Sequence, residues 1–310
     1  MPLSLRRGRV TAIRERHDGL VRLEVDGVAC VAFPQLTGPV AEGDEVLVNV
    51  QARELSLGSG GFDVLHANLT RGLDLPPEPG AHVMKLPYTS LQAAVRHAEE
   101  DDPLAGSLEG MPVVCCSLHS QVAPVAAALA GLRVTYVQMP GGALPVSLSD
   151  TLRVLKERGL VETTVAAGAC VEGDVACVTV ASAFAWARAA GFAVAICSIG
   201  PGIVGTGTRL GHGGLAAAEA ASVAAALGGV PVLAARVSGA DERDRHRGVS
   251  HHTRSILELA PQARVGEDGA GWRDACEGLP LDHMGRGPDD DPSFFEAAYA
   301  AGKLARSLAR

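Results

Sequence analysis

Phe192-Ala-Val-Ala-Ile-Cys-Ser-Ile199 is an unbroken apolar run. It passes into Gly200-Pro-Gly-Ile-Val-Gly-Thr-Gly-Thr-Arg-Leu-Gly-His-Gly-Gly214 and then into an alanine-rich stretch ending near Leu227. A short apolar run bounded by turn residues predicts a buried strand, and the alanine-rich stretch predicts a helix. Strand, glycine-dense turn and helix in that order present backbone N–H groups at a helix N-terminus, which suits a phosphate, carboxylate or other anion.

The same alternation extends in both directions. Strands are predicted at Val113–Ser117, Arg133–Met139, Val161–Ala167 and Pro231–Val237, with helices at Val122–Leu129, Ser149–Arg158 and Asp174–Ala190. Several of these strands are apolar throughout, as expected of a parallel sheet covered on both faces. The fold class is therefore α/β: a doubly wound, mainly parallel sheet in a Rossmann-like three-layer arrangement. Five or six strands are too few for an eight-stranded (β/α) barrel. Asp241–Thr253 is charged and histidine-rich and is read as opening a helix that ends near Leu259. Residues 260–291 read as a long surface loop, and Phe294–Leu308 as an amphipathic helix docking back through Phe295, Ala298 and Leu304.

The N-terminal region differs. Arg9–Ile13, Leu20–Val25 and Val28–Phe33 are short runs with β-branched residues, and Asp26-Gly27 is a hairpin turn signal. Further runs at Glu45–Val50 and Phe62–His66, the latter after Gly58, Gly60 and Gly61, complete a small all-β barrel, SH3-like or OB-like, over residues 1–68. Residues 69–81, with Pro76-Pro-Glu-Pro79, are a linker by composition. The α/β domain is expected over residues 82–310, with a helix spaced over Leu91–Glu100.

Composition narrows the function classes. Of the 310 residues, 47% are hydrophobic and 20% charged, as in a folded domain rather than a disordered chain. The net charge of −8 argues against nucleic-acid binding, which needs a basic face. No apolar run reaches the ~18–20 residues of a membrane span, so no membrane partner is expected. The first residues lack the apolar core of a signal peptide. Seven cysteines without a Cys-x-x-Cys pair fit a reducing, cytoplasmic setting and no structural zinc.

Ligands of open parallel sheets bind beyond the carboxyl ends of the strands. The residues following the predicted strands are small, polar or glycine, and they define a pocket of Ser117, Ser120, Gly141, Gly142, Ser198, Gly205, Thr206, Gly207 and Ser238. Lys85 and Tyr88 are expected to cover it, and His119 and His212 are the catalytic candidates. Gly205-Thr-Gly207-Thr-Arg-Leu-Gly211 approaches a dinucleotide fingerprint but follows the wrong strand, and no acidic residue ends the next one. The cofactor is left unknown. Ser117, Ser120 and Ser198 lack a Gly-x-Ser-x-Gly elbow, and Cys116 and Cys197 lie within strands.

His246, His251 and His252, near Asp241 and Asp244, are residue types that hold Zn, Mn or Fe. On a helix, however, adjacent residues point about 100° apart. Arg243, Arg245 and Arg247 also oppose a cation. The sequence reading therefore treats these as surface histidines and assigns no metal ligand.

His82-Val-Met-Lys-Leu-Pro-Tyr-Thr-Ser-Leu-Gln92, Ser120-Gln121, the Gly200–Gly214 loop and Gly248-Val-Ser-His-His-Thr253 resemble a family of uncharacterised actinobacterial and firmicute proteins known as a domain of unknown function. The resemblance spans nearly the whole chain and implies no activity. An enzyme acting on a small anionic or phosphorylated metabolite is the leading expectation. The alternatives are a non-catalytic ligand sensor, an assembly or scaffold protein, and a metal-dependent hydrolase using residues 241–253. A homodimer is expected from the alanine-rich helices, which bury little area per residue.

Overall fold

Alternation of buried and exposed positions builds the first unit. The computed structural model describes residues 3–56, 61–72, 75–76 and 78–309; Met1, Pro2, Gly58, Gly60 and Pro77 of the sequence reading lie outside the described residues. The chain forms two compact units, Met1–Val95 and Arg96–Arg310. In the first, β1 (Leu5–His17), β2 (Leu20–Val25), β3 (Val28–Ala32), β4 (Glu45–Asn49) and β5 (Asp63–Asn68) close into a barrel of order β1-β2-β3-β5-β4. One long strand serves two neighbours. Leu5–Arg9 of β1 pairs with β4 and Val10–His17 with β2, with register shifts after Val10 and Ile13 that curl the strand. Val10, Val21, Leu23, Val25, Val46, Val48 and Leu65 fill the interior. Two single-turn helices, α1 (Pro34–Thr37) and α2 (Gln51–Glu54), flank β4, and β6 (Val83–Lys85) pairs antiparallel with β7 (Ala93–Val95). That pairing overrides the helical spacing read over Leu91–Glu100, where helix is confined to a 3₁₀ turn at Ala98–Glu100.

In the second unit, β8 (Pro112–Cys116), α3 (Val122–Ala128), β9 (Val134–Met139), α4 (Asp150–Glu157), β10 (Thr163–Ala167), β11 (Val175–Cys177), α5 (Val180–Ala189), β12 (Val194–Ile199), α6 (Ala216–Ala226) and β13 (Val230–Ala234) follow in turn. Then come β14 (Val237–Ser238), β15 (Gly248–Val249), α7 (His251–Leu259), β16 (Arg264–Val265), α8 (Trp272–Ala275) and α9 (Pro292–Leu308). The main sheet is seven-stranded and parallel throughout, of order β11-β10-β9-β12-β8-β13-β16. Helices α5, α6 and α7 pack one face and α3, α4 and α9 the other, making the expected three layers.

Two expectations need correction. The helix read over Asp174–Ala190 begins only at Val180. Asp174 accepts hydrogen bonds from the Thr164 N–H and hydroxyl, both 2.8 Å, and this pins the chain beside β10 so that Val175–Cys177 extends as an edge strand. The segment read as a surface loop, 260–291, contains β16 and α8 and buries Trp272, Cys276, Leu279, His283 and Asp291. Helix α9 docks through Phe294, Phe295 and Ala298. All seven cysteines are reduced and buried. No helix among the described residues is long and apolar enough to cross a membrane.

Candidate functional site

Strands β12 and β13 flank β8, and the loops leaving their carboxyl ends carry a group of titratable side chains. The glycine loop after β12 folds on itself. Gly205 bridges His212, the Thr206 N–H donates to the Gly211 carbonyl at 2.8 Å, and the Gly213 N–H to the Val204 carbonyl at 2.8 Å. A Cβ on Gly213 would lie 2.0 Å from the Gly141 carbonyl oxygen, and Gly141 itself has φ of 136°. These glycines let two loops touch backbone to backbone, and the outcome is the placement of His212.

After β13, Ser250 caps α7. Its Oγ accepts the His252 N–H at 3.2 Å and lies 2.8 Å from His246 Nδ1. His251 and His252 are therefore the first residues of the helix. His212 stacks on His252 with ring centroids 3.7 Å apart and meets His251 at 5.5 Å; His246 lies 4.9 Å from both His251 and His252. One nitrogen from each of His212, His251 and His252 falls within 4.8 Å of the others. The expectation that α7 holds its two histidines apart took the helix alone. A third imidazole, His212, comes from the β12 loop and stacks on His252. His212, His246 and His252 are buried, not on the surface. Both His212 nitrogens and His251 Nε2 are buried without a hydrogen-bond partner, a costly state for a polar atom.

Burial is the main cause holding these imidazoles neutral. His246 is pushed down to about 3, with the Arg236 and Arg243 charges adding to the effect, and His252 is lowered too, with His212 and Arg236 adding. His212 and His251 are also lowered, burial being the largest cause at both. Arg236 is buried and its Nη1 sits 3.3 Å from His252 Nδ1. The arginines are balanced by Asp241, which binds Arg243 through two hydrogen bonds of 2.9 and 2.8 Å, Arg236 at 3.2 Å and Arg286 at 3.4 Å. Asp291 fixes the same turn by accepting from the Ser238 hydroxyl and the Gly239 N–H.

The remaining residues singled out in the sequence sit apart from the histidines in different ways. His119 Nδ1 lies 3.2 Å from the Tyr136 hydroxyl and Nε2 2.6 Å from Ser149 Oγ; burial lowers its pKa to about 4. Ser117 donates to Gln121 and Ser198 to the Ile199 carbonyl. Gly142 packs against the Gly200 carbonyl, and Gly207, at φ of 80°, approaches Arg245. Thr206 Oγ1 is 3.0 Å from Thr208 Oγ1. Ser120 Oγ is 3.3 Å from His283 Nδ1. Lys85 and Tyr88 belong to the first unit, where Lys85 is buried in β6 and Tyr88 is fully exposed. Sequence reasoning passed over Arg236, His283 and Asp291. Arg236 reads as the polar end of an apolar strand, and His283 sits in a Gly- and Pro-rich stretch without periodicity.

Barrel unit, parallel sheet and histidine group together define an α/β protein with a polar centre at the carboxyl edge of its sheet. The chain belongs to the family described as proteins of unknown function, DUF3866, whose model matches residues 29–266. His212, Arg236, Asp241, His246, His251 and His252 lie within that match, while His283, Arg286 and Asp291 lie beyond it. A search of curated proteins finds no match.

Proposed function

We propose that the chain is a divalent-metal-dependent hydrolase whose ion is held by His212, His251 and His252. The observation that carries this reading is the meeting of three imidazole nitrogens within 4.8 Å. Tetrahedral zinc would want its nitrogens roughly 3.4 Å apart, so these would close by up to about 1.4 Å and the stacked His212 and His252 rings would tilt toward a common point. An ion held by His212, His251 and His252 would supply Lewis-acid activation of water for hydrolysis near neutral pH. The unpartnered nitrogens of His212 and His251 support the reading, because a ligand removes the cost of leaving them bare. The glycine loop then acts by placing His212. The small anionic substrate expected from the sequence is part of the same proposal.

Zinc titrated calorimetrically into chelator-stripped protein, and cobalt followed by its visible absorption, test it. Saturable one-to-one binding is expected, weakened at least about tenfold in His212→Ala and in His251→Ala. Metal at 100 times its dissociation constant stabilises the fold by about 2.7 kcal/mol, visible as a thermal shift. Absence of saturable binding by zinc, cobalt, manganese and ferrous ion overturns the metal centre. Metal binding without turnover of ester, amide or phosphoester substrates overturns the hydrolase assignment alone.

For assembly we propose a homodimer, on the general prevalence of closed two-fold pairs. Light scattering at micromolar concentration reads it: a mass near 31.8 kDa overturns the dimer and one near twice that value supports it.

A further inference from the structure

Beside the histidines lies a second group of buried polar side chains. Arg236 links the two. Its Nη1 faces His252, its Nη2 reaches Asp241 and Met284 Sδ, and its Nε is buried without a partner. Arg286 contacts Asp241 at 3.4 Å and Asp291 at 3.5 Å. His283, three residues before it, stacks on Phe294 with centroids 3.7 Å apart; its Nδ1 meets Ser120 and its Nε2 is buried and bare. Arg286, with Ala240, Asp241, Glu242, Arg243 and Met284, lines an open cavity of about 400 Å³. Arg236, Arg243 and Arg286 balance Asp241, Glu242 and Asp291 in charge. The buried donors left without an acceptor are what an oxyanion satisfies.

We propose that Arg236, Arg286 and His283 form a binding site for the phosphate group of a phosphomonoester substrate. The proposal rests on the reading of the neighbouring histidines as a metal centre and names the substrate class of that centre. Charge selects phosphate over carboxylate. A divalent ion at the neighbouring histidines gives a local excess of two positive charges, which a dianion offsets better than a monoanion. Metal and phosphate binding are coupled through His252. An ion bound at His252 Nδ1 displaces Arg236 Nη1, and an ion bound at Nε2 leaves the proton on Nδ1, which then faces another donor. Either way Arg236 loses its acceptor and turns to the incoming anion.

Inorganic phosphate and acetate, titrated into metal-stripped and zinc-loaded protein, test the site. Phosphate is expected to bind the loaded protein saturably, more tightly than the stripped protein and more tightly than acetate. Arg286→Ala should weaken phosphate at least about tenfold while leaving zinc stoichiometry and the cobalt spectrum unchanged. Should Arg286→Ala fail to fold, Arg286→Lys keeps the charge but loses the planar fork, and phosphate is expected to weaken there by about threefold or more. Phosphate binding that is absent, or undiminished in these variants, overturns the site. Acetate binding as tight as phosphate overturns the substrate class. If the wild type takes up no metal, the metal centre fails by itself. Arg286-dependent phosphate binding to that same protein would still support the anion site.

Discussion

Asp241 is the residue on which the polar centre balances. Its buried carboxylate takes the Arg243 hydrogen bonds first, then the charge of Arg236, and these hold its pKa well below the usual carboxylate range. Asp241→Asn removes the counter-charge but leaves Arg236 buried, the costly half of a broken pair. A loss of about 3–5 kcal/mol is expected in denaturant unfolding at neutral pH. The pH dependence has a definite sign. A carboxylate depressed in the folded state contributes stability above its unfolded pKa of about 3.9 and loses it as pH falls toward the folded value. The gap between wild type and Asp241→Asn should therefore be constant from pH 8 to pH 6 and narrow below roughly pH 4. A gap independent of pH would show that Asp241 is not ionised in the fold.

Among the elements, α4 shows how one cap serves two purposes. Ser149 is its cap, its Oγ accepting the Leu152 N–H at 3.0 Å. What the sequence hid is that the same oxygen partners His119. Ser149→Ala should cost about 1 kcal/mol for the cap, plus about 1–3 kcal/mol for the imidazole nitrogen left bare. A thermal-melt cost limited to the cap would mean that His119 finds another partner. Helices α3 and α9 meet through Gly302, where a Cβ would lie 2.6 Å from both the Val125 carbonyl oxygen and Ala128 Cβ. Gly302→Val overpacks this crossing, and a loss of about 2–3 kcal/mol is expected, or roughly 5–10 °C in melting temperature. Helix α9 thus covers the β8–β13 side of the sheet within its own chain. Its docking residues were legible from their spacing. The glycine that lets it approach was not, because nothing local to Gly302 distinguishes it from a weak helix position.

At the scale of the molecule, periodicity determined the architecture. Apolar runs such as Val113–Ser117 and Phe192–Ile199 had to be strands buried on both faces, and the short alternating runs before residue 68 had to close into a barrel, because those patterns leave apolar surface no other burial. The rule that parallel sheets bind ligands at their carboxyl edge also pointed to the loops after β12 and β13. The membership of the centre was decided by tertiary structure alone. His212 is separated from His251 by 39 positions. That pair meets because β12 and β13 lie on either side of β8, an order in which sequence neighbours are not sheet neighbours. Hydrophobic spacing records which face of an element is buried. It carries no term for which loop ends face one another, and so the sequence determined the layers while the strand order decided the site.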